Sequence, residues 1–594
     1  MIPKPATETF SEWSHRDWVI CLCLVLASAI LFCSGLSIRS LWGSEGRWAV
    51  VAREMIQSGD LFVPTINGEI FFEKPLLSYW AIIPFYHILG MTEAAARMPG
   101  AIAGVLTVLI VFAVGRDFFG RSAALISAVL LMTSVMFVSW SRTASAEIFN
   151  VLGVWSILWA YLHGAHEGRF WRLVVFYALG AVACFCKGPV AFASAGVAVF
   201  AVSGVNVAFS LQGESFSWQC ARKHVLNEYK WILSVRGLAA GLSGLLIFAA
   251  LLLLPVFFSG SWDSVYQMWR ENIVRFVKPF DHVDPPYAYL IHSLVFTLPW
   301  TVVLLACLTR PAGWVRETQK RWIAVTIITI FLFFTLSGSR RSYYILPLVP
   351  GLSLFAGKSI ADWLQGEKNP HPALMKLAAM ITAIILFLVG VAVIYIYLGV
   401  ETFRHASEMV VGPAAIAGAA FSLWLIARNR LKIGLIVLFS LFFLGEFWGF
   451  TTGMGLAERS RTLKPFCLAA KQALSGVDDD AIALYGVTNS SLIYYLQHAR
   501  PLHNLKGPDE LTALSEKDED GHFFLVAEAS SVASIRGLLP EREVVTLLEQ
   551  EAEGKKDDEN SFVLLEVRGR DQNRTEGVEK DLSASETADE EDGR

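Results

Sequence analysis

Charge is what this sequence has least of. Only 17% of its 594 residues are charged, while 54% are hydrophobic; soluble domains hold about 25% and about 45–50%. That balance excludes an ordinary soluble enzyme and points to a chain dissolved in lipid. The net charge of -4 leaves no electrostatic footprint for a nucleic acid, so no such partner is expected. The eight cysteines form no CxxC pair, and no histidine cluster accompanies them. Cys21/Cys23 and Cys184/Cys186 read as small core residues, not as metal ligands or disulfides. No glycine-rich phosphate loop and no internal repeat is present.

What is abundant is long apolar runs. They fall near 18–37, 99–115, 122–140, 147–163, 172–187, 189–205, 237–258, 288–308, 322–337, 343–361, 374–398, 412–427 and 432–452. Most approach the ~17–25 residues a spanning helix needs, about thirteen in all. Residues 76–91 are apolar but follow a proline and read as ambiguous, with an interfacial position as one option. Residues 1–17 are polar and no small-residue cleavage site follows the first run. The N-terminus is therefore read as cytoplasmic and the run 18–37 as an uncleaved signal anchor.

Lys and Arg in the short loops set the orientation. With the N-terminus inside, Arg116, Arg121, Arg169, Arg172, Arg222, Lys223, Arg310, Lys320, Arg428 and Lys432 gather on the cytoplasmic side. The opposite loops still carry Arg39, Arg47, Arg53, Lys74, Arg97, Arg142, Lys187, Arg270, Arg275, Lys278, Arg340 and Arg341. The orientation rule does not account for these. An anionic ligand does, most simply a phosphate; contact with lipid headgroups is the plainer alternative.

The first outer loop, 38–98, is the richest segment. "LWGSEGRWAVVAREMIQSGD" predicts a helix capped by Ser44, with Glu45 in its first turn and an end near Ser58-Gly59. Trp48, Val51, Ala52 and Met55 share one face. Asn67-Gly68 predicts a tight turn. Lys74, at the start of an apolar element, is placed to hold a lipid-borne phosphate, with Glu73 beside it ordering the lysine, binding a metal or touching substrate. A snorkelling lysine with an incidental neighbour is the alternative. Three short turns add Arg142 and Glu147, then Lys187, then Arg340, Arg341 and Tyr344 just before a span broken by Pro347 and Pro350.

After about 455 the pattern changes. Strands at 481–487, 522–529, 542–550 and 561–569, with helices at 490–497 and 530–539, predict a small α/β soluble domain over 456–569. Residues 570–594 are acidic and poor in apolar residues, and are expected to be disordered.

"SEGRWAVVAREM", "INGEIFFEKPLLSYW", "KGP" and "YYILPLVP" together resemble the bacterial aminoarabinose transferases, relatives of the protein O-mannosyltransferases among the GT-C-type membrane glycosyltransferases. The likeness covers roughly residues 10–455 and is clearest in 41–80. It implies a GT-C-like polytopic α-helical membrane domain over 18–455, catalytic through the loop 38–98, in a bacterial inner membrane. It also implies a polyprenyl-phosphate-linked sugar as donor and an envelope lipid, glycan or protein as acceptor, with chemistry and C-terminal domain on the periplasmic face. The family has Asp-Glu where this chain has Ser44-Glu45, and that Asp is its usual base. Glu45 and Glu147 are then the candidate catalytic carboxylates. Arg47, Glu73, Lys74, Arg142, Lys187, Arg340, Arg341 and Tyr344 are the candidate substrate-binding residues. Some relatives hold a metal with the Glu of "FEKP" and a later His; here Asn272 stands where that His is sought, with His282 nearby. No metal ligand set is assigned, and a divalent metal is left open. Two other classes compete: a transporter or lipid flippase, and a non-catalytic relative of the transferases.

Overall fold

The computed structural model describes residues 13–212, 217–279, 284–309, 314, 317–366, 371–399, 408–458, 463–496, 501–517, 522–550 and 561–569. His282 and the acidic tail 570–594 lie outside them. The chain divides into two compact units. One comprises Met1–Thr65 and Ile70–Glu458, the other Ile66–Glu69 and Arg459–Arg594.

The first unit is helical. Among the described residues ten helices are long and apolar enough to cross a membrane, or up to twelve if each of two sharply bent helix pairs counts as one span. Those pairs are the runs 122–140 and 288–308, each expected as one span. The first bends by 67° between Arg121–Met132 and Val135–Ser141, the second by 111° between Ala288–Phe296 and Thr301–Cys307. Thr133 and Ser134 at the first break return their hydroxyls to Val129 O and Leu130 O at 2.7 and 2.8 Å. The breaks are tied together by Trp300 Nε1 donating to Thr133 Oγ1 at 3.0 Å and Val135 N to Leu298 O at 3.0 Å.

The run at 322–337 forms the helix Thr318–Thr335, whose polar first turn Thr-Gln-Lys-Arg leaves it outside the apolar set. It nevertheless runs antiparallel beside Val190–Ser210. Arg321 meets Asn206 at 3.5 Å and stacks over Phe209 at one end, while Phe334 and Val190 line one cavity at the other. Close helix approach elsewhere rests on small residues: a Cβ on Gly357 would lie 2.7 Å from the backbone N of Ser127.

The segment 76–91 forms two short helices, Leu77–Trp80 and Ile83–Leu89. The helix Glu45–Ser58 ends at Gly59 in the left-handed region (φ 74°), and Trp48, Val51, Ala52 and Met55 are all buried. Ser44 sits at its N-cap without making a side-chain cap bond.

The second unit is a five-stranded sheet with flanking helices. Its strands are β3 (Ile482–Tyr485), β4 (His503–Leu505), β5 (Phe523–Glu528), β6 (Arg542–Glu549) and β7 (Phe562–Gly569), after the two-residue hairpin strands β1 (Thr65–Ile66) and β2 (Glu69–Ile70). The order is β4-β3-β5-β7-β6, parallel across β4-β3-β5 and antiparallel beyond. Alternate residues Phe523, Leu525 and Ala527 register with Val567, Leu565 and Val563 to build one core face. The hairpin turn has φ 53° at Asn67 and 77° at Gly68, as a primed turn requires. Asn67 donates to Leu502 O and accepts from Leu502 N, each at 2.8 Å.

Candidate active site

One cavity of the membrane unit is about 300 Å³ in volume and draws on distant parts of the chain. The start of the Glu45–Ser58 helix contributes Ser44, Arg47 and Trp48, and the following loop Glu73 and Lys74. Ser145 and Glu147 come from the N-terminus of Glu147–Ala160, and Lys187 from the C-terminus of Phe170–Lys187. A π-helical turn, Arg270–Val274, and the residue after it contribute Arg270, Glu271, Asn272 and Arg275. Arg341, Tyr343 and Tyr344 close the wall from a 3₁₀ turn and the residue before it, seated by Trp155 Nε1 donating to Pro347 O at 2.9 Å. Such π turns recur at functional sites, because the extra residue redirects side chains.

Six cations, Arg47, Lys74, Lys187, Arg270, Arg275 and Arg341, face three carboxylates, Glu73, Glu147 and Glu271. The adjacent Glu73 and Lys74 each pair with another element. Glu73 lies 3.2 Å from Arg47, and Lys74 lies 3.2 Å from Glu271, whose same oxygen is 2.7 Å from Arg275. Lys187 contacts Glu147 and stands 4.7 Å over the Tyr344 ring. Arg341 donates to the Tyr343 hydroxyl at 2.7 Å, and that ring packs on Trp140 at 4.6 Å. The wall can thus hold an anion against fixed cations, with aromatic faces beside it for a sugar or a lipid stem.

Three sequence-predicted site residues point elsewhere. Glu45 is 1% exposed and is absent from the cavity wall. Its carboxylate accepts from Arg97 Nε and Nη2 (2.8 and 2.7 Å), Arg39 (2.9 Å), Trp42 N (3.0 Å) and Ala144 N (2.9 Å). Burial opposes its ionisation, but the guanidiniums of Arg97 and Arg39 and the Ala144 N–H hold its carboxyl below the usual range. Arg142 donates to Leu31 O, Phe32 O and Phe450 O at 2.7, 3.2 and 3.0 Å, capping the C-terminus of the helix His15–Cys33. Burial, then the like charges of Arg97 and Arg39, push it down to about 10, so it stays charged at neutral pH. Arg340 donates to Thr335 O at 3.2 Å and Asp284 O at 2.6 Å. These three brace backbone and loops. Arg47, Glu73, Lys74, Glu147, Lys187, Arg341 and Tyr344 are brought together.

Nothing in the sequence marks Glu271, and it shows Arg270 and Arg275 only as outer basic residues. A WREN-IVRF stretch carries no spacing that marks a site. Nor does the donor set fit a divalent metal. Glu73, Glu147 and Glu271 each face a Lys or Arg, and Asn272 turns its amide to Met268 O at 2.9 Å. Among the described residues no three His, Cys, Asp or Glu side chains converge.

Residues 73–212 match the family model "Dolichyl-phosphate-mannose-protein mannosyltransferase". The chain is 26% identical over 376 residues to the undecaprenyl phosphate-alpha-4-amino-4-deoxy-L-arabinose arabinosyl transferase of Shewanella sediminis, covering 62% of this chain and 64% of that protein. A Pseudomonas fluorescens protein of the same description is 23% identical over 442 residues, covering 72% and 71%. In fold, the chain matches the crystal structure of ArnT from Cupriavidus metallidurans bound to undecaprenyl phosphate. The TM-score is 0.67 at 21% identity, over 93% of this chain and 98% of that one. In fold the chain is like the ArnT structure, a GT-C-type membrane architecture, and in sequence it is similar to the aminoarabinose transferases.

Proposed function

We propose that the chain transfers a sugar from a polyprenyl phosphate to a hydroxyl of an envelope acceptor, a lipid A, another glycan or a protein. The observation that carries this reading is the cavity wall, in which six cations outnumber three carboxylates beside Trp48, Trp140, Tyr343 and Tyr344. The relatives are described as acting on an undecaprenyl-phosphate-linked aminosugar, which supports a donor of that class. From the positive-inside pattern we place the cavity and the domain 456–569 on the periplasmic face.

In this reading the anomeric C–O bond to phosphate breaks as a bond to the acceptor oxygen forms, with inversion. The phosphate leaves with the electron pair and stays on the prenyl chain. Arg47, Lys74, Lys187 and Arg341 neutralise it. The acceptor proton passes to a carboxylate, and Glu147 is the candidate: it lines the cavity where Glu45 does not, and Lys187 holds it. Ser44, at the family's Asp position, faces the cavity and is assigned to the acceptor hydroxyl as a hydrogen-bond partner.

Purified protein supplied with an undecaprenyl-phosphate-linked aminosugar and an envelope lipid extract should release undecaprenyl phosphate in step with a mass increase on the acceptor. Donor left intact across a panel of sugars and acceptors would sink the proposal.

A further inference from the structure

We propose that Glu271 is an internal counter-ion of the phosphate site: it holds Lys74 and Arg275 while no phosphate is bound, and reclaims them as the product leaves. The inference rests on the reading of the cavity as a polyprenyl-phosphate site. One carboxylate oxygen of Glu271 serves both cations, at 3.2 Å from Lys74 Nζ and 2.7 Å from Arg275 Nη1. Glu271 and Arg275 side chains are each 10% exposed, so solvent screens the contact little. All three residues line the cavity, so a phosphate entering it competes with a carboxylate already seated.

The chemistry of transfer gives that carboxylate a task. The donor is a phosphodiester with one negative charge. Breaking its anomeric C–O bond leaves a phosphomonoester, whose second ionisation near pH 6 brings it to about -1.5 to -2 at neutral pH. A wall with excess positive charge therefore binds product more tightly than donor, and release becomes the slow step. A fixed negative charge beside the phosphate repels the product about twice as strongly as the donor, since the interaction scales with the product of the charges. Glu271 thus lowers affinity for both and lowers it more for the product.

The test is binding of undecaprenyl phosphate alone to the full-length protein in lipid nanodiscs, with turnover measured in parallel. Glu271→Gln keeps the shape and removes the charge. It should bind undecaprenyl phosphate roughly tenfold more tightly than the parent protein, with KM for donor and kcat falling together as release slows. Equal or weaker binding by a folded Gln variant overturns the proposal while leaving the cavity reading intact. Absence of binding by both proteins overturns the cavity reading and this one with it. Should the Gln variant not fold, Glu271→Asp withdraws the charge by one methylene and must also tighten binding; unchanged affinity there overturns the proposal equally.

Discussion

Glu45 and Arg97 form a buried two-point ion pair, with nitrogens of one 2.8 and 2.7 Å from the two oxygens of the other and side-chain exposures of 1% and 2%. The same guanidinium donates to Leu36 O, Arg39 O and Ser40 O at 2.6, 2.6 and 2.9 Å. It thereby fastens the loop that launches the Glu45–Ser58 helix, which carries Ser44, Arg47 and Trp48 to the cavity. Replacing one partner strands the other charge in the interior. Glu45→Gln should therefore destabilise the folded protein by about 3–5 kcal/mol, read as a lower midpoint of thermal unfolding in detergent. A Gln variant of parental stability that had lost transfer would instead make Glu45 a proton acceptor.

The same pair sets an acid limit. The Glu45 carboxyl is held below its ordinary value, 4.5, with burial working against that shift and Arg97 and Arg39 producing it. A carboxylate depressed in the folded state contributes stability above its unfolded pKa, lost as pH falls through the folded one. Glu45 should thus contribute a constant stability between pH 8 and pH 5, declining only below about 4.5. Melting curves across that range check this, and the difference between parent and Glu45→Gln should shrink on the acid side.

Much of the architecture is legible because the signals are local. Asn67-Gly68 dictates its own turn, the continuous apolar runs at 523–527 and 562–565 read as strands buried on both faces, and short turns hold Lys187, Arg341 and Tyr344 near the ends of apolar runs. Direction is not legible. Successive residues on a helix point about 100° apart, and this step separates cavity-lining Ser44 from buried Glu45. A basic residue in a loop reads alike whether it faces a ligand or backbone carbonyls, and Arg142 and Arg340 do the latter. In the sheet unit, β4 is three residues long, too short for alternation to show.

Lys74 is held from across the cavity by Glu271 at 3.2 Å. Lys74→Ala should weaken undecaprenyl phosphate binding roughly tenfold or more and abolish transfer without unfolding the protein. Lys74→Arg should recover little, because a planar fork does not fill the place of a point charge. Normal transfer by the Ala variant would return Lys74 to the snorkelling alternative. Titration with the lipid phosphate in nanodiscs separates the two.

Topology turns on one helix. Thr318–Thr335 runs beside Val190–Ser210 from the Arg321–Asn206 contact to the cavity. If it crosses the bilayer, the residues after 455 emerge on the same side as the first loop. Cysteines introduced at exposed Ser58 and Ser475, in a background with native thiols blocked, should both react with an impermeant maleimide on cells whose outer membrane has been permeabilised. Labelling of Ser58→Cys alone would place the sheet unit inside and remove this helix from the set of spans.

The assignment of the base separates Glu147 from its neighbours. Glu147 opens the helix Glu147–Ala160, lines the cavity and contacts Lys187, which itself stands over Tyr344. Glu147→Gln keeps volume and removes the proton-accepting charge. If Glu147 is the base, transfer should fall roughly 10²-fold or more while undecaprenyl phosphate binding persists. Glu147→Ala should fall further, because Lys187 then loses its partner and drifts from the phosphate. Ser44→Asp supplies a carboxylate at a position that already faces the cavity, so it should restore part of the rate when combined with Glu147→Gln. Single-turnover rates for the four proteins decide the matter. A Glu147→Gln variant with undiminished transfer would exclude Glu147, and rescue by Ser44→Asp would locate the missing proton acceptor within reach of residue 44.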